Sequence, residues 1–394
     1  MSFDWKALTP HRPLDSNGVQ YVVPPSGFAE RIAPLVATGT TTVLVGGPVG
    51  VGKSTELARI TALLRDERVA CLVRLDRHEN IRRLTPDQMF SRITRDLVEL
   101  ARIESARRGR GTQISAALLG ALRVAGTVAS QVTGVSIPVP EVSFTGSPRS
   151  LLDAALSEVA RATGYTRISL IVDGLEKLPD TPESSEVLAA LGQISDEVDI
   201  IAVVPWHVAF GVPEDTIRPA ALFASLPAPG VDGTSGLAGR QFLADILTER
   251  LGLPREHLSE NEDASQILGL SGVKLGRAMV LEAARWSGGL PRTFLQLMAD
   301  AAQYAQIRRG GAWPNESDLA DAIADQKDSF RRALLPGDSD AVRKVEGTDG
   351  REMELSRKIR LLARGVILER RQGSKYFLDI HPLAQPLLEG KRNA

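Results

Sequence analysis

Cysteine is nearly absent: Cys71 is the single one in 394 residues. No disulfide can form within the chain, so the fold must rest on apolar cores, and a reducing cytoplasmic setting is expected. The five histidines (His11, His78, His207, His257, His381) lack metal-ligand spacing, which argues against a structural zinc site. Net charge is only −1, so bulk attraction to polyanions is excluded as a binding principle. The opening Met1-Ser2-Phe3-Asp4-Trp5-Lys6 has no basic-then-apolar signal pattern. Charge also runs out locally. From Thr112 to Pro140 the only charged residue is Arg123. That length allows a bilayer span. However, Val, Ala, Ser and Thr are weakly driven into lipid, Gly120, Gly126 and Gly134 interrupt the run, and Arg123 lies in its most helical part. A poorly packed insertion is expected, with membrane or partner insertion as the alternative.

What is present is ordinary for a globular chain: 43% apolar and 24% charged residues, and enough length for two or three domains. Residues 1–22 read as an irregular arm, because Pro10, Pro13 and Asp15-Ser16-Asn17-Gly18 forbid a long element. A helix is expected after Pro24-Pro25, with Ser26 as cap and Phe28, Ile32, Leu35 and Val36 on its apolar face. Continuous apolar runs at Val43–Val45, Val69–Asp76, Ile168–Asp173 and Ile200–Val204 alternate with helical patterns. The helices are expected up to about Arg65, after Pro86, at Leu151–Thr163 and within Ser184–Val198. This alternation means a parallel sheet covered on both faces, an α/β fold. Leu222–Leu226 is the best candidate for a fifth strand.

After Gly230 helices alone are expected: Leu237–Leu251, a short one at Asn261–Leu268, Val273–Trp286, Pro291–Ile307 and about Asn315 to Leu335. The chain then closes with a helix at Glu352–Leu362, strands at Val366–Arg370 and Lys375–Ile380 around Gln372-Gly373-Ser374, and a helix from His381-Pro382.

The chemistry concentrates at Gly46-Gly47-Pro48-Val49-Gly50-Val51-Gly52-Lys53-Ser54-Thr55, which follows the first apolar run and opens a helix. Gly47, Gly52, Lys53 and Ser54 fit the P-loop pattern. Gly47, Gly50 and Gly52 let the backbone N–H groups turn inward on a polyphosphate, and the helix adds its positive end. Lys53 reaches the β- and γ-phosphates of ATP, and the Ser54 hydroxyl can bind Mg²⁺. Asp173 ends the third apolar run in the Walker B manner and is the second magnesium residue. Glu176, three residues on, is the expected general base.

With these residues in hand, the chain resembles the additional-strand P-loop ATPases, specifically the AAA+ group and the related signal-transduction ATPases with numerous domains. The resemblance implies a parallel-sheet P-loop core over 1–235, carrying the arm and an insertion at about 112–147. It further implies a helical lid over 236–310 and a winged-helix-like domain over 311–394. AAA+ members place Glu directly after the Walker B Asp; here that position is Gly174 and the acid, Glu176, comes three residues on from Asp173, which looks more like the signal-transduction branch with its later acid. Ser287-Gly288-Gly289-Leu290-Pro291-Arg292 resembles the Gly-x-Pro element of that branch and the sensor-2 region of AAA+ lids. Pro291 would aim a helix at phosphate and Arg292 would contact the γ-phosphate. The sensor-1 position holds Pro205-Trp206-His207 rather than the usual polar residue. Arg218, Arg240 and Arg250 are placeable as arginine fingers, none of them assignable. By analogy, Val22-Val23-Pro24 forms part of the adenine pocket.

Near the end, Arg351–Tyr376 carries eight basic residues against three acids, a local balance of +5. Arg357, Lys358, Arg360, Arg364, Arg370, Arg371 and Lys375 are the candidate DNA contacts of a winged helix. A solvated face, or a module packed on the nucleotide as in signal-transduction ATPases, explains the same charges. The expected function is an ATP- and Mg²⁺-dependent switch that signals to a protein partner or within an oligomer. The alternatives are a DNA-binding AAA+ ATPase and a membrane-associated ATPase.

Overall fold

Residues 5–8, 21–39, 42–107, 147–210, 221–233, 236–252, 267–270 and 273–389 are described by a computed structural model. The chain forms two compact units. One comprises Ala29–Gly46 and Leu57–Ala224; the other comprises Met1–Phe28, Gly47–Glu56 and Ser225–Ala394. The low-charge stretch 112–140 and the polar stretch after it to 146 lie outside the described residues.

The first unit is built on the apolar runs. In chain order the elements here are α1 (Phe28–Ala37), β1 (Thr42–Gly46), α2 (Lys53–Leu64), β2 (Val69–Arg74), α3 (Pro86–Arg107), α4 (Pro148–Thr163), β3 (Ile168–Asp173), α5 (Pro182–Gln193), β4 (Asp199–Val203), α6 (Trp206–Phe210) and β5 (Leu222–Ser225), of which Phe28, residues 53–56 and Ser225 belong to the other unit. The turn before α1 closes from the Gly27 N–H to the Pro24 carbonyl (2.9 Å), so the helix begins at Phe28 and Ser26 stands short of the cap position. Phe28, Ile32 and Val36 are buried as expected, but Leu35 is 40% exposed and does not belong to the apolar face. α4 ends at Thr163 as expected but starts three residues before the expected Leu151: Ser147 caps it, Pro148 opens it, and Gly164 closes it with φ +75.

The sheet order is β2-β3-β4-β1-β5, and the β1–β4, β3–β4 and β2–β3 pairs are parallel. β4 therefore stands between the strand that leads into the P-loop and the strand that ends in Asp173, which is the additional-strand arrangement. Leu44 and Val172 both face Ala202 in register, so β1 and β3 end at the same edge. Strands covered on both faces must be apolar throughout, and β1, β3 and β4 are buried at every position. At the opposite edge, buried Arg68 bonds Asp199 (2.5 Å) and the Ala37 carbonyl (3.0 Å), which ties β2, β4 and α1 together away from the site.

The second unit opens on a short helical turn, Trp5–Leu8, whose Leu8 is fully buried, so the arm is less irregular than its sequence implies. There follow α7 (Leu237–Leu251), β6 (Ile267–Leu270), β7 (Val273–Gly276), α8 (Arg277–Trp286), α9 (Pro291–Arg309), α10 (Glu316–Ala333), α11 (Asp338–Val345), α12 (Leu355–Ala363), β8 (Ile367–Gln372), β9 (Lys375–Ile380) and α13 (Gln385–Glu389). Leu8, Leu243, Leu247, Met279, Phe294 and Leu383 lie in one core cluster.

Two expected helices give way here. Ile267–Leu270 and Val273–Gly276 pair as an antiparallel hairpin, so the described end of the Asn261–Leu268 helix is a strand, and the Val273–Trp286 helix starts only at Arg277. Gly269, Gly272 and Gly276 weaken a helix, while two residues between apolar runs suit a hairpin. The helix expected to reach Leu335 ends at Ala333, because Leu335 precedes Pro336. The helix expected from Glu352 begins at Leu355, after a turn from the Met353 N–H to the Gly350 carbonyl. In the last hairpin Gln372 faces Lys375, which leaves Gly373-Ser374 as a two-residue turn, with Gly373 at φ +60.

Candidate functional site

The P-loop leaves β1 at Gly46 and curls back on its own lysine. The buried Lys53 ammonium donates to the carbonyls of Gly47 (2.9 Å) and Pro48 (3.0 Å). Gly50 adopts φ +86, and a Cβ there would stand 2.8 Å from the Arg292 Cβ. Gly47 adopts φ +149, and its Cβ would meet the Leu226 carbonyl at 2.6 Å. Glycine is thus required at both positions by conformation and by space. Thr55 and Glu56 N–H groups return to the Gly52 carbonyl at 2.9 and 3.0 Å, which starts α2 and leaves Ser54 exposed at its N-terminal end.

The same unit brings the Gly-Gly-Leu-Pro-Arg stretch to this loop. Pro291 is the first residue of α9, and the Arg292 N–H donates to the Gly50 carbonyl at 3.2 Å, while the Arg292 side chain is exposed. The preceding Gly288 and Gly289 take φ +63 and +85, and a Cβ at Gly289 would lie 2.1 Å from the Pro229 carbonyl. The segment 225–229 borders both features and also carries the C-terminal hairpin. The Ala228 N–H donates to the Glu369 carbonyl (3.0 Å), the Ser225 hydroxyl bonds the buried Glu369 carboxylate, and Arg370 donates to the Pro229 carbonyl (2.6 Å). Burial raises the Glu369 pKa, against the Ser225 hydrogen bond and the Lys358 charge. His381 closes this packing. It is fully buried, accepts at Nδ1 from the Leu383 N–H (3.2 Å) and lies 4.6 Å from the Phe330 ring. Burial, and secondarily the charge of Arg370, push its pKa down to about 3.

In the sheet unit, Asp173 ends β3 and is 4% exposed, with Arg74 of β2 beside it in register. Glu176 lies half-buried in the helical turn Leu175–Lys177 that follows. The glycine between them is explained by space. Gly174 has φ +99, and a Cβ there would approach the Asp76 backbone nitrogen to 2.8 Å, so the position after Asp173 has no room for an acid. Asp76 is a carboxylate at this edge that sequence reasoning passed over; it pairs with Lys177. Its signal was its place just past the end of β2, on the strand next to Asp173. At the end of β4, Trp206 stacks on Phe210 (5.4 Å between centroids), and burial lowers the pKa of half-buried His207.

Two arginine-finger candidates are engaged locally: Arg240 donates to the carbonyls of Val231 (2.8 Å) and Gly233 (2.9 Å), and Arg250 to that of Ala7 (3.4 Å). Arg218 lies outside the described residues. The C-terminal cations also divide. Lys358 is buried and donates to the Asp349 carbonyl (2.9 Å), Arg357 and Arg360 pair with buried Asp338 (3.7 and 2.6 Å), and buried Arg370 pairs with Asp379. Arg364, Arg371 and Lys375 remain exposed. In the arm, Val22 is buried, Val23 is 53% exposed, and the Tyr21 hydroxyl donates to Glu56 Oε1 at 3.0 Å. Among the described residues, no helix is long and apolar enough to cross a membrane.

No protein-family model and no curated protein matches this sequence. Solved structures do. A Walker-type ATPase of Pyrococcus abyssi aligns with a TM-score of 0.51 at 13% identity, over 97% of this chain and 99% of its own. The ORC2 protein of Aeropyrum pernix, in ADPNP–ADP complexes, aligns at 0.48 and 14% identity, over 99% of each chain. The Thermotoga maritima RuvB Holliday junction branch migration motor aligns at 0.39 and 10% identity, over 91% of this chain and 95% of its own. The strand order, the P-loop after β1 and the first of these likenesses together show that this chain has the P-loop ATPase fold.

Proposed function

We propose that the protein is an AAA+-type ATPase, related to the signal-transduction branch, that binds ATP with Mg²⁺ and works as a slow nucleotide-controlled switch. The observation that carries this reading is the bond from Arg292 N–H to the Gly50 carbonyl, which fastens the start of α9 to the phosphate loop. A change in that loop is a change in the helical region. The 225–229 segment extends the same connection to β8 through Glu369 and Arg370. In this reading 1–235 is the ATPase core, 236–310 the lid and 311–394 a winged-helix-like module that moves with nucleotide state.

The residues fit the group. The glycine-lined curl at Gly47 and Gly50, with Lys53 turned into it, suits a polyphosphate. Gly47, Pro48, Val49, Gly50, Val51, Gly52 and Thr55 form the cradle, and Lys53 exchanges its carbonyl partners for phosphate oxygens. In this reading Ser54 and Asp173 would hold Mg²⁺, which would supply charge neutralisation for phosphoryl transfer. Glu176 takes the proton of the attacking water. Pro291 fixes the helix start and Arg292 adds positive charge at the γ-phosphate.

The test is ATP turnover by the full chain, with Lys53→Ala as control and with and without duplex DNA. Slow turnover that needs Lys53 and ignores DNA supports the switch. Turnover that needs Lys53 and rises with DNA moves the assignment to a DNA-dependent ATPase. Turnover indifferent to Lys53 rejects both.

A further inference from the structure

We propose that Asp76 and Lys177 are positioning residues for Glu176, through an ion pair that holds the turn carrying it against the end of β2. This inference rests on the reading of Glu176 as general base and adds two residues that act through it.

Glu176 sits in a single turn, Leu175–Lys177. The turn closes from the Lys177 N–H to the Gly174 carbonyl (3.3 Å) and from the Leu178 N–H to the Leu175 carbonyl (3.0 Å). Turns this tight have poor hydrogen-bond geometry and hold their shape badly alone. Apolar packing supports the ends, because Leu175 and Leu178 are buried in the core cluster that also holds Leu75 and Ile81. The two residues between them, half-buried Glu176 and exposed Lys177, are not fixed by apolar burial.

Asp76 supplies the missing constraint. β2 and β3 are parallel and Arg74 pairs in register with Asp173, so the segments that follow leave the sheet side by side. Leu75 and Leu175, which open the two following turns, are both fully buried. Asp76 lies against Gly174, where a Cβ would stand 2.8 Å from the Asp76 nitrogen and 2.9 Å from its Cβ. The Asp76 carboxylate also takes the Lys177 ammonium. One residue thus touches the chain on both sides of Glu176, two positions before it and one after. A general base must lie within reach of the water it deprotonates, and a misplacement of about 1 Å can cost on the order of 10²-fold in rate. Lys177 is 54% exposed, and a pair so exposed contributes little to stability. Its loss should therefore leave the fold and ATP binding in place and appear in turnover.

The experiment measures kcat and the Kd for ATP in the full chain for wild type, Asp76→Asn, Lys177→Met and Lys177→Arg, each alone and combined with Glu176→Gln. Asp76→Asn, which keeps the packing on Gly174, and Lys177→Met should each lower kcat about five- to tenfold. Their Kd should stay within about twofold of wild type. Lys177→Arg, which keeps a charged partner for the carboxylate, should hold kcat within about twofold. Once Glu176→Gln has removed the base, neither pair variant should slow turnover by more than about twofold further. Unchanged kcat in either pair variant overturns the proposal. So does an equal loss in both Glu176 backgrounds, or a loss that comes with weaker ATP binding or a lower melting temperature, which would make the pair merely structural. If Glu176→Gln itself leaves turnover unchanged, the base assignment fails and the positioning pair with it. If Glu176→Gln slows turnover and the pair variants do not, the positioning pair alone fails.

Discussion

The Arg292 N–H reaches the Gly50 carbonyl at 3.2 Å, and the Cα hydrogen of Gly50 points to where a Cβ would stand 2.8 Å from the Arg292 Cβ. The phosphate loop and the first turn of α9 therefore share one close backbone contact, which only glycine permits. Gly50→Ala should break this contact while Gly50 is also forced from φ +86, a conformation costing about 1–3 kcal/mol for other residues. ATP affinity should fall at least about tenfold, the equivalent of 1.4 kcal/mol. Titration calorimetry checks this, and unchanged affinity would mean that the loop does not need the contact.

Glu176 and Gly174 make a paired prediction. Glu176→Gln should lower turnover by about 10²-fold or more with ATP binding retained, as expected for removal of a general base. Moving the acid to the position adjacent to Asp173 should not rescue it. In Gly174→Glu with Glu176→Gln, the new Cβ meets the Asp76 backbone at 2.8 Å. That double variant should remain slow and melt at lower temperature. Recovered turnover would show that the strand end can shift to accept a side chain.

The division of the C-terminal cations predicts weak, shallow DNA binding. Of the seven candidate contacts only Arg364, Arg371 and Lys375 are exposed, and if these carry the binding the slope of log K against log salt should be no steeper than about −3. A slope near about −6, measured by fluorescence anisotropy on duplex DNA, would show that the four engaged cations are released to phosphate.

His381 predicts an acid sensitivity. Its folded pKa, about 3, lies below the ordinary value of 6.5. The unfolded chain therefore binds a proton that the folded chain refuses, and stability falls as pH drops from about 6.5 toward 3. Between pH 7 and 5 the loss amounts to about 2 kcal/mol. Urea unfolding of wild type and His381→Gln should show the wild type losing that much more over this interval. Parallel losses would place the acid sensitivity elsewhere.

The order of elements was readable from the chain because its causes are local. Strands buried on both faces must be apolar at every position, and Val43–Val45, Ile168–Val172 and Ile200–Val203 have no other reading that suits their neighbours. The P-loop was readable because phosphate binding demands Gly47, Gly52, Lys53 and Ser54 at fixed spacing. The β6–β7 hairpin was missed because Leu-rich segments with scattered glycine support either element until pairing decides. Leu35 was misplaced because period alone does not say how wide a helix face its neighbours cover.

By itself, then, the sequence determined the parallel sheet, the phosphate loop, the acid at the end of β3 and the helical turn at Pro291. Each of these follows from residues within a few positions of one another. Only the tertiary structure decided that β4 lies between β1 and β3, that Arg292 meets Gly50, that Gly174 leaves no room for an acid, and that four of seven candidate DNA-binding cations are buried or paired with carboxylates. Those are contacts between residues far apart in the chain, selected by packing and by the cost of leaving buried charge unpaired, and neither is written in local spacing.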